Sequence, residues 1–353
     1  MTTSAPAQNA GRNDLNLVVA DRVQESRNVV SFVLRATTGE PLAPFRAGQH
    51  LPLRLGLHGR NIATYTLSSA EDATDSYRIS VKLEPNGLGG SHFLHQQAQI
   101  GTVLRTGAPR GSFVLEAAPN PVVLITGGIG VTPAISMLHA LARQAGREVY
   151  FIHACNDRSE HSFADEVQAL AANRPWVRVF NAYATGTEKD IRSGHCHHLG
   201  FVDRNVLRRL LPLDDYHVYL CGPPGFMTAI ETALQSLGVT KAAVRREVFG
   251  QAALNPPVAE TPATKSDARG KTIEFTRSGL KVAWSDSFTS LLDFAEAQGL
   301  EPEFSCRAGV CGNCACRLLA GEVDYATEPL DWPADGQVLL CCSRPNGHIA
   351  LDL

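Results

Sequence analysis

Cys306-Arg-Ala-Gly-Val-Cys311-Gly-Asn-Cys314 places three thiols at the spacing C-x4-C-x2-C, by which one tight segment holds three corners of a 2Fe–2S cluster. Such a cluster needs a fourth thiolate further on, and the adjacent Cys341 and Cys342 both supply a candidate. Gly309 and Gly312 lie inside the loop, where the missing Cβ lets backbone amides come close to sulfur. A set of buried thiols with no metal role would not fall at this spacing, and a zinc site more often shows two separated C-x2-C pairs. The chemistry implied is the movement of single electrons.

Outward from that loop, residues 270–353 form one block. Segments 272–275 and 280–283 read as a hairpin around Ser278-Gly279, and 290–298 reads as a helix capped by Gly299. Upstream, residues 251–269 are rich in Ala, Pro, Thr and charge, with Pro256-Pro257 and Pro262, and read as a semi-extended linker. Residues 119–250 alternate strand-like and helix-like patterns. Segment 122–125 is a continuous apolar run, as expected for a parallel strand buried on both faces. Strands at 149–154, 177–182, 217–221 and 243–249, with helices at 134–143, 163–172 and 227–237, complete a doubly wound α/β domain. Residues 15–118 hold short β-rich segments (17–19, 29–34, 51–55, 64–67 and 77–82) between Gly/Pro turns, as in a small antiparallel β-barrel. The expected fold is therefore multidomain: a barrel, a doubly wound α/β domain and a smaller α+β domain.

Charge is unevenly spread over these blocks. From residue 271 onward 6 Lys/Arg face 12 Asp/Glu, a net of −6, which leaves +3 on the preceding 270 residues and −3 overall. No global basic excess points to nucleic acid. An acidic terminal module on a mildly basic body suits electrostatic docking to a protein partner, although an acidic surface also serves solubility alone. Residues 1–15 are polar, with no secretory signal, and no apolar run approaches the ~20 residues that span a bilayer. The 9 cysteines then point to a reducing cytoplasm, where metal ligation is favoured over disulfides. A monomer without membrane association is expected.

Two glycine-rich turns follow predicted strands. Thr126-Gly-Gly-Ile-Gly-Val-Thr132-Pro133 precedes a helix, so its glycines admit phosphates to the backbone while the helix N-terminus offers free N–H groups. Cys221-Gly-Pro-Pro-Gly-Phe-Met227 is the second. One such turn is often only a tight connection. Two at strand C-terminal ends make a ligand crevice. In the first block, Ala63-Thr64-Tyr65-Thr66-Leu67-Ser68-Ser69 puts Thr64, Thr66 and Ser68 on one face of a strand and Tyr65 on the other. From periodicity alone, Tyr65 fits a barrel core as well as a flavin contact.

Taken in order, these motifs resemble the ferredoxin–NADP reductase superfamily: a flavin barrel with an R-x-Y-[ST]-x-x-S strand, a G-G-x-G-x-T-P loop and a C-G-P loop. With an iron–sulfur module at the C-terminal end, the layout is similar to the phthalate dioxygenase reductase-like family over nearly the whole chain. His153-Ala-Cys-Asn, His161-Ser-Phe-Ala-Asp-Glu and Arg246-Glu-Val-Phe-Gly250 are most similar to the reductase half of flavohaemoglobins, without a globin domain. The resemblance implies a plant-type, β-grasp ferredoxin domain at 270–353, a flavin domain at 15–118 and an NAD(P) domain at 119–250. It places Tyr65, Thr66 and Ser68 at the flavin, Gly90 and Ser91 at its phosphates, and Gly128, Gly130 and Thr132 at the nicotinamide dinucleotide. Cys221, Gly222 and Pro223 fall beside the nicotinamide and Phe249 beside the flavin. The family's arginine two places before the tyrosine is Ala63 here, and Arg60 is the candidate substitute. Ala108-Pro-Arg-Gly-Ser-Phe113 has the form associated with FAD-type members, so FAD is favoured over FMN. Leu340-Cys341-Cys342-Ser343-Arg344 resembles L-C-x-S-R, which puts the fourth ligand, after Cys306, Cys311 and Cys314, at Cys341.

The function implied is an NAD(P)H-dependent flavin and iron–sulfur reductase that feeds the oxygenase component of a Rieske-type hydroxylase or demethylase. A di-iron monooxygenase, a desaturase or a hybrid-cluster protein are alternative acceptors, and a redox sensor without turnover is the alternative of another class. NADH is preferred, while Arg158 near the end of the second parallel strand could hold the 2′-phosphate of NADPH. Gly194-His-Cys-His-His-Leu199 reads as a polar loop rather than a metal site.

Overall fold

A computed structural model of the chain describes residues 14–57, 60–85, 89–249, 271–304, 307, 309, 311–329 and 332–353, without the side chains of residues 56, 57, 60 and 61. The expected linker at 251–269, the ligand Cys306 and the side chain of Arg60 lie outside the described residues.

The first sheet is antiparallel: β1 (Leu15–Ser26), β2 (Val29–Ala36), β3 (His50–Leu57), β4 (Arg60–Thr66), β5 (Tyr77–Lys82) and, after helix α1 (Gly90–Gln97), β6 (Val103–Thr106). Their order is β4-β3-β6-β1-β2-β5, and a bridge between Leu67 and Ile79 brings the two edges together into a barrel. Alternate residues turn inward, so Leu17, Val19, Phe32, Leu34, Leu51, Leu53 and Ile79 form one core.

The second sheet is parallel. Its strands are β7 (Val122–Gly127), β8 (Val149–Cys155), β9 (Val177–Tyr183), β10 (His198–Leu199), β11 (His217–Cys221) and β12 (Val244–Glu247), in the order β10-β9-β8-β7-β11-β12. The connecting helices are α2 (Val131–Leu141), α3 (Ala164–Ala171), α4 (Glu188–Arg192), α5 (Arg204–Leu210) and α6 (Pro224–Ser236). Every residue of β7 is buried, because helices cover both faces and two separate apolar clusters pack there. The chain order reverses between β7 and β11, which opens a crevice beyond their carboxyl ends.

The third sheet is mixed, in the order β14-β13-β17-β15-β16: β13 (Thr272–Phe275), β14 (Leu280–Ala283), β15 (Ala315–Tyr325), β16 (Gln337–Leu339) and β17 (Ser343–Leu351). Strands β13 and β17 are parallel and the other pairs antiparallel. Helix α7 (Leu291–Ala297) packs on it through Leu291, Leu292 and Phe294, with Phe294 against Trp284 and Phe275. Ser290 caps α7 by accepting the Asp293 N–H, and Gly299, at φ 76°, follows its last turn. Among the described residues no helix is long and apolar enough to cross a membrane.

Candidate functional site

Three of the four predicted cluster thiols come together. The Gly309 N–H donates to Cys341 Sγ at 3.3 Å. The hydrogen bond to Cys341 and then burial hold the Cys314 thiol well above its ordinary range, with Cys311 close enough to add to the effect. Gly309 and Gly312 sit at φ 68° and 67°, the left-handed region a wrapping loop requires. Cys342 packs in the core, its Sγ 3.7 Å from the Leu339 carbonyl, and its thiol also contacts Cys341. Arg307, at φ 55°, ties the loop to α7 through Asp293 (3.0 Å) and Glu296 (2.5 Å) and covers the Phe304 ring at 4.0 Å. Among the described residues no three His, Cys, Asp or Glu side chains close around one ion, and a two-iron cluster shares four sulfurs between its irons. Sulfur donors gathered in one loop are the donor type such a cluster takes, and iron would displace the thiol protons that crowd one another there.

The two glycine-rich turns lie against each other at the switch point. A Cβ on Gly130 would stand 2.3 Å from the Cys221 carbonyl oxygen and 2.7 Å from the Gly222 nitrogen. Gly127 and Gly222 are each closed off by Phe226 at 2.8 Å. Gly128, at φ 52°, faces open space. Thr132 is buried and its hydroxyl donates to the Ile129 carbonyl, bracing the turn. Burial, with Glu247 adding to it, pushes the Cys221 thiol far up, so it stays protonated. Cys221 pairs in register with Glu247, which brings Phe249, two residues on and half-buried, to the same end of the sheet. Pro223 caps α6 at that end.

Beneath this crevice sequence reasoning missed a buried pair. His153 meets Thr126 Oγ1 at 2.8 Å and stacks on His161 at 4.9 Å, and His161 Nδ1 meets the Tyr183 hydroxyl at 2.6 Å. Burial brings His153 down to about 4 and His161, where the adjoining His153 and Arg158 also disfavour the charged form, to about 2. Both are therefore neutral supports. The expected polar loop at 194–199 is mostly exposed, but Cys196 turns inward against Cys155 and Tyr183.

On the barrel, a Cβ on Gly90 would stand 2.9 Å from the Tyr65 hydroxyl and 3.3 Å from Ala63 Cβ. The strand and the start of α1 are thus brought together, and Gly90 leaves a cradle there that a side chain would fill. Ser91 is buried and its hydroxyl accepts the Glu84 N–H at 3.1 Å. Tyr65 packs partly on the barrel core. Thr66 is buried and pairs with His50. Ser68 is turned into the protein, its hydroxyl meeting Ser80 at 2.7 Å and Arg78 Nε at 3.2 Å. The barrel meets the parallel domain here: Ser136 of α2 donates to the Ser69 carbonyl at 2.8 Å, and Arg78 forks onto Glu166 at 2.8 Å twice. Burial would raise the Glu166 carboxyl, but hydrogen bonds from His139 and Arg78 outweigh it and bring it down to about 2.

Comparison with known proteins follows the same division. Residues 16–115 match the oxidoreductase FAD-binding domain, 124–232 the oxidoreductase NAD-binding domain, and 273–346 the 2Fe-2S iron-sulfur cluster binding domain. A flavohemoprotein of Burkholderia sp. (strain TH2) is 40% identical over 238 residues, covering 67% of this chain and 59% of that protein. The chain thus spans about 60% of the length of the curated relatives it matches. The solved FAD/NAD-binding domain of nitric oxide dioxygenase from Vibrio cholerae O1 biovar El Tor is 34% identical, covers 67% of this chain and 98% of that one, and superposes with a TM-score of 0.60. Phthalate dioxygenase reductase, described as a modular structure for electron transfer from pyridine nucleotides to [2Fe-2S], covers 97% of this chain and 98% of that one at 27% identity and TM-score 0.62.

Proposed function

We propose that this NAD(P)H-dependent flavin oxidoreductase, with its FAD-binding, NAD-binding and 2Fe-2S domains, is a phthalate dioxygenase reductase-like protein that takes electrons from NADH and delivers them singly to the oxygenase component of a Rieske-type hydroxylase or demethylase, a reading supported by the structural match to phthalate dioxygenase reductase over nearly the whole chain. When bound, the nicotinamide supplies a hydride, the flavin accepts its two electrons, and the cluster passes them on one at a time.

The chain's own residues divide this work. Gly128 and Gly130 admit the dinucleotide backbone, and Thr132 holds their turn in shape. Cys221, Gly222 and Pro223 form the wall beside the nicotinamide ring. The protonated Cys221 would offer that ring a neutral, poorly solvated surface, and Phe249 would lie beside the flavin. Tyr65 and Thr66 hold the flavin, Ser68 fixes their strand through Arg78, and Gly90 with Ser91 receives the phosphates at the start of α1. Arg60 stands in for the arginine replaced by Ala63. Cys306, Cys311, Cys314 and Cys341 hold the cluster, with the Gly309 N–H aimed at one sulfur.

The observation that carries this reading is the joining of the two glycine turns at Gly130 and Cys221, with α2 bonded to Ser69, three residues past the end of the Tyr65 strand. A nucleotide in the crevice would then lie next to the barrel. The test is NADH-driven turnover of a purified Rieske oxygenase component, read as product formed per NADH consumed. Coupled product formation is expected. Fast ferricyanide reduction with no reduction of the oxygenase's own cluster would contradict the assignment of the acceptor.

A further inference from the structure

Strand β3 carries two polar side chains that the barrel itself does not need. Leu51 and Leu53 point into the barrel core, so His50 and Arg54, on the opposite face by the two-residue period, point outward. Yet His50 is only 8% exposed. Its cover is the iron–sulfur module: the imidazole lies against the backbone of Cys311, with its Nε2 buried and unbonded. Next to it, Arg110 exchanges backbone hydrogen bonds with His50 at 2.8 and 3.0 Å, while its guanidinium donates to Asn313 Oδ1. Gly111, at φ 118°, makes room for the ring, since a Cβ there would stand 2.9 Å from it. At the other end of the seam, Arg54 donates to Glu303 and, at 3.0 Å, to Asp14. His50 is also the register partner of Thr66, so one residue touches both the proposed flavin strand and the loop of a proposed cluster ligand.

We propose that His50, Arg54 and Arg110 form a docking seam with Asn313 and Glu303 that holds the 311–314 loop against the flavin strand, making them positioning residues for electron transfer from flavin to cluster. The proposal rests on the reductase reading above. Transfer between two redox groups falls steeply with their separation, so a seam that fixes the module in one place sets the rate of this step and leaves hydride transfer to the flavin alone. Each contact here is charged or buried, the class whose loss costs most.

The test uses the full chain loaded with both cofactors, and the variants His50→Leu, Glu303→Ala and His50→Gln. Stopped-flow absorbance separates flavin reduction by NADH from the subsequent reduction of the cluster. In His50→Leu and Glu303→Ala the first phase should keep its wild-type rate and the second should slow about tenfold. His50→Gln, which retains an N–H donor, should recover most of that loss. Hydrogen exchange supplies a readout independent of the cofactors: in the bare full chain, amides of residues 50–54 and 311–316 should exchange faster in both loss variants. Unchanged cluster reduction and unchanged exchange in both would overturn the seam while leaving the reductase reading intact. Wild-type protein that reduces its flavin but never its cluster would overturn the reductase reading itself.

Discussion

Gly130 shows how little of a site is set by polar groups. Its missing side chain lets the Cys221 carbonyl approach to where a Cβ would be 2.3 Å away, and the obstacle is backbone, which cannot rotate aside. Gly130→Ala must push the two turns apart. Overpacking of this kind costs about 1–3 kcal/mol, and the KM for NADH should rise about tenfold if that strain is relieved by reshaping the crevice. Flavin content should be unchanged. Steady-state kinetics with NADH and ferricyanide checks this, and an unchanged KM would mean that the turns separate freely. At Cys341 and Cys342 periodicity makes no choice, and the resemblance assigns the ligand to Cys341. Cys341 Sγ receives the Gly309 N–H while Cys342 lies in the core. Cys341→Ser should lose the cluster absorption, and Cys342→Ser should keep it with some loss of stability. The reverse pattern would move the ligand by one residue. Ligand type and spacing were legible because a two-iron cluster demands them. His50, Arg110 and Asn313 were not, because their role depends on a surface from another domain that no local pattern encodes.

At the scale of elements, α2, α3 and β5 are tied together by Glu166, with Arg78 on one side and His139 at 2.6 Å on the other. Its carboxyl is depressed to about 2 in the folded chain, against about 4.3 for a free glutamate. The sign follows: the carboxylate stabilises the fold fully above its unfolded pKa, and that contribution is lost as pH falls from about 4.3 through about 2. Glu166→Gln should therefore lower stability at neutral pH by about 1–3 kcal/mol, and the gap from wild type should close in acid. Urea midpoints at pH 7 and pH 3 measure this: the gap should fall to roughly half at pH 3, which lies between the two pKa values, and a gap as wide at pH 3 as at pH 7 would point to packing instead. Elements with continuous apolar runs, such as β7 and β8, were legible because burial on both faces leaves one pattern. Strand β15 was not: it is largely exposed, Gly321 interrupts it, and two register shifts bend it. Helix α1 begins with Gly-Ser and has a weak apolar stripe. Helix α3 starts one residue later than its periodicity suggests, because Phe163 adopts φ 62° with its ring under Arg78.

For the whole molecule, three sheets in sequence were legible from composition and motif order, whereas the way they close on one another was not. The barrel holds the parallel domain through Arg78 and Ser69 and the iron–sulfur module through His50, Arg54 and Arg110. The module carries −6 of charge, which should steer a basic patch on the acceptor toward it. Exposed charges are screened beyond ~8 Å at physiological salt, so kcat/KM for the acceptor should fall as ionic strength rises while NADH-driven flavin reduction stays flat. A kcat/KM for the acceptor independent of salt would remove steering from the account. The central claim, that NADH, flavin and cluster form one route in one chain, is tested most directly by anaerobic titration of the loaded protein with NADH, followed by absorbance and electron paramagnetic resonance. The account predicts that the chain takes up one electron beyond the capacity of its flavin, that this electron gives the signal of a reduced 2Fe–2S cluster, and that Cys341→Ser stops at the flavin. A fully reduced flavin beside an intact cluster that stays oxidised would contradict it.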